Sequence, residues 1–78
     1  MLRIISMNLN GIRSAVGKGF LDWLQRQNAD IICLQELKAQ PTDLSAVILA
    51  PDGYHGQFHC AEKKGYSGVG IYSRHLPE

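Results

Sequence analysis

RIISMNLNGIR, residues 3–13, runs from an apolar, β-branched segment straight into two amides, a glycine and an arginine. Residues 2–8 read as a first strand, because β-branched and apolar side chains dominate them. Gly11, Gly17 and Gly19 then punctuate the chain, and that punctuation predicts loop. From Lys18 to Gln27 the period changes. Phe20, Leu21 and Leu24 share a face flanked by Trp23, with Asp22, Gln25 and Arg26 turned outward, as in an amphipathic helix. Asn28-Ala29-Asp30 ends it, and Ile31–Leu34 is a near-continuous apolar strand of the kind found in covered, mostly parallel sheets. Strand, helix and strand joined by short links make a βαβ unit with two parallel strands. Both strands then end on the same edge of the sheet, where open α/β sheets place their ligands. Asn8 and Glu36 are therefore expected to emerge close together.

Beyond Glu36 the pattern weakens. Pro41-Thr42-Asp43 starts a short helix through Leu44, Val47 and Ile48, which Pro51 stops. Asp52-Gly53 reads as a turn, Tyr54–Cys60 as a strand and Ala61–Gly65 as a charged loop. Ser67–Ser73 reads as another strand, weakened by Gly68 and Gly70. Repeats, low-complexity segments and linkers are absent. The order describes one α/β unit, residues 1–78, cut off before its sheet is complete.

The 78 residues are 45% apolar and carry a formal charge of +1, which excludes a disordered tail and a strongly basic binding module. A chain this short buries only about 60% of the surface its unfolded form exposes. Its amphipathic elements are richer than it can bury well, as expected of a fragment or of a chain needing more sequence or a partner. Cys33, inside IICL, reads as a buried thiol of a reduced compartment, and Cys60 beside His59 has no further Cys/His cluster to complete a metal site. His55, His59 and His75 read as surface or strand-edge residues. No apolar run reaches the roughly 18 residues needed to span a bilayer. The amino terminus lacks the long apolar stretch of a secretory signal.

Glu36 is the strongest candidate for chemistry, because a carboxylate at the end of an apolar strand needs a partner. That partner is either Lys38 or Arg13 in a salt bridge, or a hard cation such as Mg²⁺, which takes oxygen ligands, keeps several waters and uses one or two protein carboxylates. Asn10-Gly11 reads as a turn pair. Asn8 is less well explained that way, and its amide is placed to orient the carboxylate or to touch a phosphate oxygen. Arg13 and Lys18 bracket the loop on this edge, and Lys63 and Lys64 precede Gly65-Tyr66-Ser67-Gly68. Each charge alone reads as solvated surface. Together with a glycine-rich loop and a tyrosine hydroxyl, such charges also suit a phosphodiester. Dinucleotide-binding and Walker A patterns are absent, and no Ser-His-Asp arrangement stands out.

The stretches IISMNLNGIRSA, GFLDWL, ADIICLQELKAQ and HCAEKKGYSGVGIYSR, in this order over nearly the whole chain, resemble the amino-terminal part of exonuclease III-type apurinic/apyrimidinic endonucleases. These belong to the endonuclease/exonuclease/phosphatase superfamily. LQE is shared across the superfamily, whereas LQELKAQ with EKKGYSGVG points to the DNA-repair branch. The resemblance implies an α/β fold, the first half of a four-layer DNase I-like sandwich of two mixed sheets with helices outside. It matches Glu36 to the magnesium-binding glutamate and Asn8 to the active-site asparagine beside it, and so implies that both belong to the catalytic and metal site. Mn²⁺ would be accepted as readily, since hard oxygen ligands suit both ions. Asn10 stands where relatives carry Asp or Asn. Arg13, Lys18, Gly65 and Tyr66 match positions that hold DNA phosphates, and Lys38 follows the glutamate near the metal.

The implied function is a magnesium-dependent repair nuclease that cuts duplex DNA 5′ to abasic sites and removes nucleotides from 3′ ends. As a full-length protein it would be monomeric, free of membranes, and cytoplasmic in a bacterium, acting on the nucleoid. The remaining catalytic Asn, Asp and His of the family come from sequence beyond residue 78, so these 78 residues alone are expected to be inactive. Two rival readings are another phosphoesterase of the superfamily and a catalytically inactive nucleic-acid-binding regulator on the same fold. The Gly65–Gly68 stretch with its lysines opposes the first, and Glu36 opposes the second.

Overall fold

The computed structural model describes residues 2–60 and 67–74. Strand β1 (Ile4–Asn8) is followed by helices α1 (Ile12–Gly17) and α2 (Phe20–Gln27) and by strand β2 (Ile31–Gln35). A 3-10 turn (Pro41–Asp43), helix α3 (Ala46–Leu49), and strands β3 (His55–Cys60) and β4 (Gly68–Ser73) complete it. The sheet order is β1-β2-β4-β3, with β1 and β2 parallel and β4 antiparallel to both of its neighbours. The βαβ expectation holds for the first two strands. The sheet as a whole is mixed, because the final strand inserts between β2 and β3.

Strand alternation sorts the residues onto two faces. Across one face the register lines up Ile5, Ile32, Tyr72 and Gly56, then Met7, Leu34, Gly70 and Phe58. This face packs with Ile12 of α1 and with Phe20 and Leu24 of α2 into one core. The Phe20 ring stacks on Tyr72 and the Phe58 ring meets Tyr72 edge-on. The opposite face carries Ile4, Ile71 and Val69, each about half exposed. An apolar run such as Ile31–Leu34 anticipates a sheet covered on both sides; here the helices cover one.

Residues 12–17 depart from the expected loop. Gly11 sits at φ +106°, a conformation open to glycine, and caps α1, whose Ala15 N–H donates to the Gly11 carbonyl at 3.0 Å. Ile12 is fully buried, and Ala15 and Val16 pack on the core, so the helix forms because one face of it is apolar. Gly19, left-handed, then breaks the path and starts α2.

The amino-terminal edge of the parallel pair is tied down by Arg74. Its side chain donates to the Ala29 carbonyl and to Asn28 Oδ1, both at 2.8 Å, and its guanidinium lies over the Tyr54 ring. Tyr54 donates its hydroxyl to the same Ala29 carbonyl at 2.7 Å. These groups are spent on one another. The opposite, carboxyl-terminal edge holds a second polar cluster, around Asn8 and Glu36.

Candidate active site at the carboxyl edge

β1 and β2 end side by side, with Asn8 in register with Gln35. Along β2, Ile32 and Leu34 are buried while Ile31, Cys33 and Gln35 lie toward the open face. Continued alternation would bury Glu36 and expose Leu37. The chain does the reverse: Leu37 is fully buried and Ala39 nearly so, while the Glu36 side chain keeps 38% exposure. The phase changes at Glu36, which adopts φ +54°, and Lys38 follows at φ +51°. Left-handed backbone at a residue other than glycine costs on the order of 1–3 kcal/mol and persists only where the surroundings enforce it. Burying an unpaired carboxylate costs several kcal/mol, so the reversal at Glu36 is the cheaper arrangement.

The surroundings that enforce it are main-chain bonds. Leu9, Gly11 and Ile12 donate their N–H groups to the carbonyls of Gln35, Glu36 and Leu37 at 3.0, 2.8 and 2.8 Å. Leu37 N–H donates in turn to the Gly68 carbonyl at 3.2 Å. The β1–α1 loop and the start of β4 therefore clamp the turn from two sides.

Within that frame the side chains meet. Asn8 donates its amide N–H to Glu36 Oε2, and its own Oδ1 accepts from the Asn10 N–H at 2.9 Å. The second bond fixes the amide: its nitrogen faces the carboxylate and its oxygen is turned away. Lys38 donates to Asn10 Oδ1 at 2.5 Å and stands 3.9 Å from Glu36 Oε1. Of the two ion pairs open to Glu36 in the sequence, Lys38 takes it at long range. Arg13 pairs instead with Asp43 at 3.7 Å. Exposed pairs of this kind contribute about 0–1 kcal/mol, so stability alone does not account for the cluster.

Among the described residues no three His, Cys, Asp or Glu side chains group to hold a metal ion. A magnesium site that keeps most of its waters needs fewer, and Glu36 suits one: it is half-exposed, oriented through Oε2, and among the described residues its Oε1 meets only Lys38, at the long range of 3.9 Å. Asn8 orients that carboxylate. Beside the pair lies an open hollow of about 440 Å³, lined among others by Asn8, Asn10, Ser14, Lys18, Trp23 and Arg26. A second hollow is lined by Gly11, Arg13, Ser14 and Lys38. Lys18 and Arg26 thus share the first hollow with Asn8, and Arg13 and Lys38 line the second, an arrangement of cations that attracts a polyanion. Gly65 and Tyr66, with Lys63 and Lys64, lie outside the described residues.

Sequence reasoning missed Asp43, which accepts from the Gln40 N–H at 2.9 Å while facing Arg13. It also treated Arg26 and Trp23 only as parts of a helix. Their spacing from Lys18 and Asn8 becomes informative once residues 12–17 are helical. Among the described residues no helix is long and apolar enough to cross a membrane.

The sequence profile of the Endonuclease/Exonuclease/phosphatase family matches residues 5–78. The chain is 44% identical over 77 residues to an exodeoxyribonuclease of Bacillus subtilis, covering 97% of this chain and 29% of that protein. It is 36% identical over 76 residues to a DNA-(apurinic or apyrimidinic site) endonuclease of Dictyostelium discoideum, covering 97% of this chain and 21% of that one. The structure of an AP endonuclease from Archaeoglobus fulgidus superposes with a TM-score of 0.86 at 36% identity, over all of this chain and 29% of its own. The chain thus spans less than a third of the length of these relatives.

Proposed function

The chain belongs to the exonuclease III/AP endonuclease branch of the endonuclease/exonuclease/phosphatase family, and from that premise we propose that it is the amino-terminal part of a divalent-metal-dependent DNA repair nuclease. The reaction is hydrolysis of a phosphodiester 5′ to an abasic site, with removal of nucleotides from 3′ ends of duplex DNA. The observation that carries this reading is the Asn8–Glu36 bond at the shared carboxyl edge of β1 and β2, flanked by cations.

Glu36 is the residue that would hold Mg²⁺ or Mn²⁺, which when bound polarises the scissile phosphate and neutralises developing charge on oxygen. Asn8 holds the carboxylate in one orientation, and Lys38 holds Asn10, so neither group needs to reorganise when substrate arrives. Arg13 and Lys18, with Gly65 and Tyr66, take the phosphates of the DNA backbone and set its register without reading bases. Water activation falls to groups outside residues 1–78. The half-exposed Ile4, Val69 and Ile71 support a second sheet packed on the open face, as in a four-layer sandwich. The protein acts as a cytoplasmic monomer on duplex DNA.

The test uses the full-length natural polypeptide that carries these residues. A duplex with one abasic site is incubated with Mg²⁺, with EDTA, and with the Glu36→Gln variant. A single 5′ incision that needs both the metal and Glu36 is the expected result. Tight binding of duplex or RNA without incision would move the protein to the inactive, regulatory reading.

A further inference from the structure

We propose that Leu37 is a positioning residue of this site: its buried side chain sets where the Glu36 carboxylate emerges. The proposal rests on the reading of Glu36 as the cation ligand. Leu37 touches no reacting group and carries no polar side-chain atom, so sequence inspection assigns it to the core. Its place in the turn gives it a second role.

The argument starts from the change of phase. Buried positions run Ile32, Leu34, then Leu37 and Ala39, so the inward-facing set moves by one residue within the turn. Two left-handed residues, Glu36 and Lys38, enclose Leu37 on either side. A residue in that conformation relaxes toward ordinary strand geometry unless something opposes it. The bonds from Leu9, Gly11 and Ile12 hold the carbonyls of residues 35–37. They do not by themselves say which side chain of the turn points inward. The Leu37 side chain does, because it is fully buried and an aliphatic group returned to water loses its burial.

Leu37 is also where three segments join. Its carbonyl accepts from Ile12 at the start of α1, and its N–H donates to Gly68 at the start of β4. A shift of its side chain therefore moves the turn against the end of β1 and the loop after it, which carry Asn8 and Asn10, and against β4. The carboxylate is aimed by the fold before any cation arrives, and Leu37 is the side chain that keeps the aim.

The experiment uses the full-length natural polypeptide and Mn²⁺ as the probe, with bound and free ion followed by electron paramagnetic resonance. Leu37→Met, Leu37→Val and Leu37→Ala form a graded series, and Leu24→Val is the matched control at another fully buried leucine, on α2. Thermal midpoints and incision kinetics are recorded on the same samples. Leu37→Ala is expected to weaken Mn²⁺ binding by about tenfold or more, the usual effect of disturbing the support of a metal ligand. Leu37→Val should fall between, and Leu37→Met, which conserves volume, should restore near-parental affinity. Leu24→Val should lower the thermal midpoint and leave Mn²⁺ affinity unchanged within about twofold, since it lies outside the support of the ligand.

Parental affinity in a folded Leu37→Val protein overturns the proposal, as does an equal loss in Leu24→Val. Should Leu37→Ala fail to fold, Leu37→Val against Leu24→Val decides. Absence of Mn²⁺ binding that Glu36→Gln removes from the parent protein overturns the functional reading first, and the positioning role with it.

Discussion

Among the described residues Tyr72 is the largest side chain with no exposed surface, and its hydroxyl donates to the Ile48 carbonyl at 2.5 Å. Burial disfavours the phenolate and pushes the group well above its ordinary value of 10.0. Replacing it by phenylalanine leaves the Ile48 carbonyl without that donor, so Tyr72→Phe should cost about 1–3 kcal/mol in urea denaturation of the folded protein. The pH dependence has a definite sign. The folded pKa lies above the unfolded one, so the contribution is whole below pH 10 and is lost as pH rises through and beyond that value. Stability of the parent protein should therefore fall more steeply above pH 10 than that of Tyr72→Phe, and parallel curves would contradict this. Asn8 makes a contrasting case, because it is exposed and bonded to Glu36, the cation ligand proposed above. Asn8→Ala should hardly move the thermal midpoint while lowering Mn²⁺ affinity about 10–100-fold, as loss of a ligand's support does. An unchanged Mn²⁺ titration would remove Asn8 from the site.

At the scale of elements, the two interior strand glycines are spacers. A Cβ at Gly56 would lie 2.0 Å from the Leu49 carbonyl oxygen, and one at Gly70 would lie 2.6 Å from the Phe58 ring. The first clash is with backbone, so α3 would have to move off β3; the second is with a side chain that can shift. Gly56→Ala should therefore destabilise more than Gly70→Ala, by about 1–3 kcal/mol or beyond for the former. Urea midpoints ranked the other way would show that α3 yields easily. The βαβ unit was legible because the apolar period changes between residues 8 and 31 and back again, and a parallel pair must bring Asn8 and Glu36 to one edge. Helix α1 was obscured by three glycines, although Ile12, Ala15 and Val16 already stood at helical spacing. The insertion of β4 between β2 and β3 had no local signal, since strand order depends on contacts between distant segments. The left-handed turn at Glu36 was equally hidden: neither Glu36 nor Lys38 is a residue type that announces positive φ.

The molecule as a whole has one finished face and one bare one. Helices cover Ile5, Met7, Ile32, Leu34 and Tyr72, while Ile4, Val69 and Ile71 expose 58%, 52% and 45% of their surface on the other side. β1 also forms an edge of the sheet, with its outer row of main-chain groups unpaired by any described strand. A bare apolar face, an open edge and a net charge of only +1 are together the conditions under which chains associate. The isolated 78 residues should therefore bind a hydrophobic dye in the folded state and sediment as larger species with rising concentration. Ile4→Thr combined with Ile71→Thr keeps β-branched residues in both strands while making the face more polar, so the pair should reduce both effects without disturbing the core. The double variant should retain the parental far-ultraviolet dichroism, because neither side chain contributes to the packed side. A parental chain that stays monomeric at every concentration and binds no dye would mean that this face is not a functional apolar surface. The case for a second sheet upon it would then lose its support from this structure.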